Sequence, residues 1–579
     1  MEISMVTSLD GFNSGIAYLG RRYVVRYMAL PIFVCSISTQ AADYRLDEKG
    51  IERLNQARSV SPLAVDTLFG EQVSLFNGGT QFESTDITIP GNSALAMELR
   101  RVLAVDDRSR ANGNHLGGFA EWDLDLPRLS SVVAIAKGWR RAGWTVNERC
   151  SQPGPLDDTA SVASEDYWDG YKLHIPGAGD QALLMAPAPS LPGPGNGTVY
   201  PWITKGMWRI SCKSTTKNGY AGQAFVATSP AGMIYHLDWV VVKMHPGVKG
   251  ELNSGSVARQ VVHFLVSRVE DRFGNWVDYA YSGDNLIGMT SSDGRQISLS
   301  WSGNKIMSAS SSMGNLSYAY TGEKLASVTR PDASKWQYSS TGALAVYAPA
   351  WTPAYEDPTG CPDPIEESTG TYALTITAPS GATASYSFSA WQHHRSNIPE
   401  HACYINSPQY WFMKTPRFYW SLTLMSKSVS GPGMTLATWT YTYGQPDLLT
   451  PGANTKTNTV SGPDGTYSRY TYGTGYNLNE GQLLNVEKGY GPSQILSSQQ
   501  SSYVSNVEAA TQNFPPSVGE DPRMWSDLLA SAWLRPLKQS VISQQGQSFT
   551  WKVASDCNGT SYCFDIFARP TKITSASTP

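Results

Sequence analysis

The sequence predicts an all-β protein: an antiparallel repeat sheet, a β-rich region before it and one late helix. Three observations predict it. Between Val261 and Gly342 a short unit recurs four times. Within the units apolar and polar residues alternate with period two, the pattern of a half-buried strand. The composition is that of a turn-rich β protein, with 52 Gly, 30 Tyr and 16% charged residues, against roughly 25% charged in an average soluble protein.

The four units read DRFGNWVDYAYSGDNLIGMTSS, DGRQISLSWSGNKIMSASSS, MGNLSYAYTGEKLASVTR and PDASKWQYSSTGALA. Gly274, Gly294 and Gly314 lie 20 residues apart. An aromatic-x-Gly step follows each of them, from Tyr281 to Gly283, Trp301 to Gly303 and Tyr320 to Gly322. Leu286, Ile306 and Leu325 close the units. A fixed short period marks one supersecondary unit that stacks on its neighbours.

Each unit predicts a two-stranded ribbon. Gly274-Asn275 and Asp293-Gly294 are turn dipeptides, because Gly and Asn tolerate positive φ. From Trp276 the chain alternates, with Val277, Tyr279 and Tyr281 on one face. Gly283-Asp284-Asn285 makes the second turn and LIGMTS returns. A lone hairpin is marginal in water, so neighbours must extend each ribbon into a larger sheet. The repeat aromatics are expected to stack along one face and supply most of the buried area.

This pattern resembles the YD-repeat, or RHS-repeat, family, whose unit is an Asp/Asn-Gly turn followed by Tyr-Asp, Gly and Leu. Asp271, Gly274, Asn275, Tyr281 and Leu286 fit it, as do Asp293, Gly294 and Ile306, and Gly314, Asn315, Tyr320 and Leu325. The Asp after the aromatic is replaced by Ser282, Ser302 and Thr321. Weaker echoes lie at Ser229–Trp239, Ser430–Gln445 and Ser461–Gly491. Near the end, Phe564-Asp565 before Ala568-Arg569-Pro570-Thr571 is similar to the family's aromatic-Asp pair before Gly-Arg-Pro-Thr, with Ala568 in place of Gly. The resemblance implies an antiparallel YD-repeat sheet wound as a β-solenoid, a cocoon-like shell that encloses a C-terminal toxin until delivery. On this reading the chain is the N-terminal portion of a longer RHS protein or a truncated product. Its partners are the remainder of the shell and the toxin cargo.

Five segments follow along the chain. Residues 1–41 are an N-terminal extension and signal peptide: Arg21, Arg22 and Arg26 precede the apolar run Met28–Ile37, and small residues allow cleavage after Ala41 or, second, Ala42. The start codon lies at Met1 or downstream, near Met5. Residues 42–258 form a β-rich N-terminal domain that opens with one or two helical turns. There Ala96–Asp107 and Gly117–Ala134 also resemble the region before the repeats in RHS and insecticidal-toxin B-component proteins. Residues 259–345 hold the repeats, and 346–514 hold further degenerate β repeats after the proline-rich break Tyr347–Gly370. Residues 515–579 carry a helix and the start of another repeat. Asp521 caps that helix, Pro522 suits its first position, and Trp525, Leu528, Leu529, Ala532 and Trp533 recur at helical spacing until Pro536.

Net charge −4 and a pI near 6.1 argue against nucleic acid, which needs a basic face. No apolar run after residue 60 is long enough to span a membrane. With Cys35 removed in the signal peptide, an even set remains: Cys150, Cys212, Cys361, Cys403, Cys557 and Cys563. That suits an oxidising compartment, so the expected location is periplasm, cell envelope or outside the cell. Pairing of sequence neighbours is the expectation, with Cys557 and Cys563 as independent thiols the alternative.

Catalytic motifs are missing from the sequence. No P-loop, G-x-S-x-G or H-E-x-x-H occurs, and no cofactor or metal is expected. His393, His394 and His401 without carboxylate or thiol company read as a loop. Asp123 and Asp125 read as the wet face of a strand. Two functions stay open. One is a non-catalytic exported shell segment serving bacterial competition or cell-surface interaction. The other is a secreted protein whose Trp and Tyr bind cell-surface or cell-wall carbohydrate. A glycan-cleaving enzyme would need a carboxylate pair across a groove, and no such pair stands out.

Overall fold

The computed structural model describes residues 63–64 and most of 69–578, all within a compact unit spanning 41–579. The longer stretches outside the description are 106–115, 158–166, 187–196, 250–255, 345–368, 399–403 and 515–533. Ala41, Cys361, Cys403, His401, the early helical turns and the helix expected at 521–533 therefore lie outside the described residues.

The chain opens with a small antiparallel sheet. Its strands are β1 (Leu63–Ala64), β2 (Glu71–Ser74), β3 (Thr80–Ile89), β4 (Met97–Val105), β5 (Gly118–Phe119) and β6 (Trp122–Leu124). They pair in the order β1-β2-β3-β4-β6-β5. Strict alternation in β4 buries Met97, Leu99, Arg101, Leu103 and Val105 on one face.

Next come β7 (Arg128–Ala134), β8 (Lys172–Ile175), β9 (Gly179–Met185), β10 (Trp202–Thr204), β11 (Arg209–Lys213), β12 (Ala224–Thr228), β13 (Ile234–Lys249) and β14 (Ser256–Glu270). Each pairs antiparallel with the next. β14 then pairs back onto β7, from Arg259↔Ala134 to Leu265↔Arg128, and closes an eight-stranded barrel. A barrel of this size is just wide enough for side chains to fill. Trp139 stacks on Tyr171 at 4.7 Å, and Tyr171, Trp202, Phe225 and Phe264 continue the ring-to-ring packing.

β14 also starts the repeats. Its last residues, Arg268–Glu270, pair with β15 (Trp276–Ser282). A meander follows through β16 (Asn285–Ser291), β17 (Gln296–Ser302), β18 (Lys305–Ser311), β19 (Gly314–Thr321), β20 (Lys324–Thr329), β21 (Lys335–Gly342), β22 (Thr371–Thr377) and β23 (Thr383–His394). It continues by antiparallel neighbours from Phe418–Gly431 to the last strand, Ile573–Thr578. The boundary read from the sequence at 258/259 falls inside β14, so barrel and repeats share one hydrogen-bonded strand.

The N-terminal sheet lies against the apolar face of this meander. Phe119 packs on Tyr318 at 4.8 Å, Trp122 on Tyr338 at 5.5 Å, Phe82 on Tyr386 at 4.8 Å and Phe76 on Tyr472 at 5.5 Å. One continuous core runs from Phe69 to Tyr472.

The repeat is physical as well as textual. Residues 281–290 and 301–310 share the same burial sequence, position by position. Each hairpin turns on two residues, Gly283-Asp284, Gly303-Asn304 or Gly322-Glu323, and the glycine has φ of +58°, +60° or +59°. Glycine at the first central position is the signature of a type II′ hairpin turn. A β-bulge precedes each repeat aromatic, at Ala280/Tyr281, Ser300/Trp301 and Ala319/Tyr320. From there the aromatic donates a hydrogen bond to a backbone carbonyl of the preceding unit. Tyr281 Oη reaches Val266 O at 2.7 Å, Trp301 Nε1 reaches Leu286 O at 2.8 Å, and Tyr320 Oη reaches Ile306 O at 2.6 Å.

These aromatics are only half-buried, whereas Leu286, Ile306 and Leu325 are 1% exposed or less. The expectation that the aromatics supply most of the buried area is thus corrected. The bulge sets each ring beside the hairpin turn, where one edge meets water, and the ring acts as a polar staple between units.

Tyr320→Phe removes one staple and keeps the ring. It is expected to lower stability by about 1 kcal/mol, read as a shift in urea midpoint. Ala333 and Ala568 stand at φ +65° and +61°, where a β-carbon is strained and glycine is at ease. Ala333→Gly and Ala568→Gly should each raise stability, by about 0.5–1 kcal/mol in the same measurement.

Candidate functional site

The chemically richest part of the molecule is the seam where the N-terminal sheet meets repeats and barrel. Period two puts Arg101 on the core face of β4, and its side chain is fully buried. Its Nε donates to both oxygens of Asp86, at 2.9 and 3.2 Å, and its Nη2 donates to Ser84 Oγ at 3.0 Å and to Tyr338 Oη. The guanidinium lies 4.5 Å from the Trp122 ring and 4.7 Å from the Tyr338 ring. Tyr318 Oη donates to Asp86 at 3.0 Å. Burial alone would pull the Arg101 pKa down. The Asp86 charge and the Tyr338 oxygen outweigh it and hold the value above that of a free guanidinium.

Arg100, one residue earlier, points the other way. It reaches Glu83 at 2.9 Å, Asp125 at 3.4 Å and Glu98 at 3.5 Å. Asp125, in the link between β6 and β7, accepts from His174 Nε2 at 2.6 Å, and Asp180 meets His174 Nδ1 at 2.7 Å. Burial and the Arg128 charge press the His174 pKa down, and the two carboxylates overcome them and raise it. Asp125, which is buried, and Asp180, at the rim, are both lowered, mainly by their bonds to His174. Both imidazole nitrogens are taken, so His174 is a charged clamp between β8, β9 and the β6–β7 link. A general base needs a free nitrogen facing a substrate, which this arrangement does not offer.

Asp123 does not join Asp125: its Oδ1 accepts from the Gly117 backbone at 2.8 Å. His393 is buried, with Nε2 against Ser421 Oγ at 3.0 Å and Thr423 Oγ1 at 3.1 Å, and His394 bonds Gln392. Among the described residues, Asp556, Cys557 and Cys563 cluster closely enough to hold a metal, but the two sulfurs form a disulfide. No helix among the described residues is long and apolar enough to cross a membrane.

The repeat residues named from the sequence stay in register along the sheet and do not converge on a pocket. Gly274 and Gly294 sit in the turns before β15 and β17 with φ of +84° and +85°, Asn275 bonds Asp271, and Gly314 opens β19. Among the described residues two disulfides are present, Cys150–Cys212 and Cys557–Cys563. The first joins the buried Cys150 to β11, and Trp202 Nε1 donates to Cys150 O at 2.9 Å. Arg101, Asp86, His174 and Asp180 were not picked out by sequence reasoning. The signal for Arg101 was there: it shares strand parity with four apolar residues of β4. His174 gave none, because its partners are brought by the pairing of β8 with β7 and β9.

No family model matches the chain, and no curated protein does. Among solved structures, the crystal structure of TcdB2-TccC3-TEV is similar at 9% identity and a TM-score of 0.11, over 71% of this chain and 23% of that one. The chain thus spans less than a quarter of that protein, and a likeness at this score carries no argument.

Asp86→Ala strands the buried guanidinium and is expected to cost about 3–5 kcal/mol, measured by denaturant titration. The His174 clamp predicts a pH signature. A raised histidine pKa contributes fully below the unfolded value of about 6.5 and is lost as pH rises through the folded value. The lowered Asp125 and Asp180 contribute fully above about pH 4 and are lost as pH falls through their folded values. His174→Gln should therefore cost most between about pH 4 and 6.5 and least in alkali. Urea midpoints of both proteins across that range check it, and a pH-independent difference would show an uncharged His174.

Proposed function

We propose that this chain is a segment of an exported, non-catalytic RHS-type β shell that encloses a C-terminal toxin and helps deliver it in bacterial competition or at a cell surface. The observation that carries the reading is the repeat meander itself. Each unit is stapled to the one before through Tyr281, Trp301 or Tyr320, and the apolar residues of the units face one side, where the N-terminal sheet is seated. Such a sheet can grow strand by strand into a wall. The disulfides support an oxidising compartment, hence export.

The carbohydrate-binding alternative asks for a row of open aromatic faces. The repeat aromatics are instead half-buried and tied to backbone carbonyls, which favours the shell. The test is to express this chain together with whatever the downstream reading frame encodes and to digest the product with protease. A protected C-terminal fragment that becomes toxic when freed is the expected result. Loss of that fragment at the rate of a free polypeptide, combined with retention of this chain on a cell-wall glycan column, would move the second reading ahead.

A further inference from the structure

Around the loop Leu75–Gly79, four buried polar atoms have no protein partner: Lys456 Nζ, Asn77 Nδ2, His393 Nδ1 and Tyr419 Oη. Their residues are 2% exposed or less. Asn77 belongs to the loop itself, and the other three come from three strands. Lys456 lies on the strand Thr455–Ser461, His393 on β23, and Tyr419 on the strand Phe418–Gly431.

The loop ties them together. Lys456 Nζ sits 4.0 Å from the centre of the Phe76 ring. Asn458, two residues on and on the same face, donates to Leu75 O at 2.7 Å and Phe76 O at 3.1 Å. Thr423 Oγ1 donates to Asn77 O at 2.9 Å and lies 3.1 Å from His393 Nε2. The rings of His393 and Tyr419 stack at 5.0 Å.

The charge around Lys456 is not balanced by a free carboxylate. Glu480 is the nearby carboxylate, and both its oxygens are held by Arg395, at 2.6 and 2.7 Å. Lys456 Nζ is left buried beside an aromatic ring with no carboxylate of its own. A buried charge without a partner is expensive. Water would satisfy the hydrogen bonds but not the charge. We propose that Lys456 Nζ, with Asn77 Nδ2 and Tyr419 Oη, forms a buried binding site for a small inorganic anion of the halide class, flanked by the His393 ring.

Burial pushes the Lys456 pKa down to about 7, with Glu480 opposing. A bound anion restores the charged form. The site lies between the N-terminal loop and two segments of the meander, so occupancy favours the seated loop by mass action.

The test uses the whole purified chain. Crystals grown with bromide in place of chloride should show an anomalous peak in contact with Lys456 Nζ. In solution, at constant ionic strength, chloride or bromide should raise the melting temperature by about 2 °C over gluconate, a much larger anion. Lys456→Met should abolish that halide-specific rise. Water alone beside Lys456 in the bromide crystal overturns the proposal. So does a wild type indifferent to halide, which would mean a neutral lysine. The diffraction arm needs no variant, so a poorly folding Lys456→Met leaves the question decidable.

Discussion

The structure depends on the buried pairing of Arg101 with Asp86. An exposed apolar sheet face must be covered, and many surfaces could cover it, because apolar contact is not directional. The guanidinium removes that freedom. Its planar fork holds Asp86, Ser84 and Tyr338 at once while Trp122 and Tyr338 lie against it. Tyr318 closes the ring from the neighbouring repeat. Only one placement of β3 and β4 against β19 and β21 satisfies every partner. A buried ion pair of this kind adds little net stability over apolar residues, but it makes a wrong register costly.

With that register fixed, other contacts follow down the seam. Arg295 Nη1 donates to Ile89 O at 2.7 Å and Leu95 O at 3.0 Å. At the far side Lys427 pairs with Glu71, and Leu424 N donates to Gly78 O at 3.0 Å. These contacts join residues some 200 to 350 positions apart in sequence. They explain why the N-terminal sheet belongs to the same core as the repeats.

The staple explains which substitutions the repeat tolerates. Tyr281 and Tyr320 alternate with Trp301 because each ring is flat, apolar and armed with one donor at its far end. Phenylalanine would keep the ring and lose the bond. The same device recurs where the sequence pattern has faded: Tyr443 Oη donates to Leu424 O at 3.0 Å and Tyr503 Oη to Leu483 O at 3.1 Å. Bulges also precede Phe388, Tyr472 and Tyr503. The aromatic-after-bulge geometry outlives the glycine spacing, since a bulge needs one extra residue and not a particular one.

The local structure of the repeats is legible in the residues alone. Turn glycines, period-two alternation and the aromatic step fix each hairpin, because all three act over a few residues. Pairing of Cys150 with Cys212 and of Cys557 with Cys563 also followed the order of the chain. The remaining features arise from contacts between distant parts of the chain. Barrel closure rests on β7 meeting β14 across more than a hundred residues, and nothing near Arg128 or Arg259 announces it. Arg101, His174 and Lys456 read as surface charges in a string of letters. Their roles come from partners such as Asp86, Asp125 and the loop at Asn77, which the fold alone brings together. Burial turns an ordinary charge into a constraint, and burial is a property of the assembled chain.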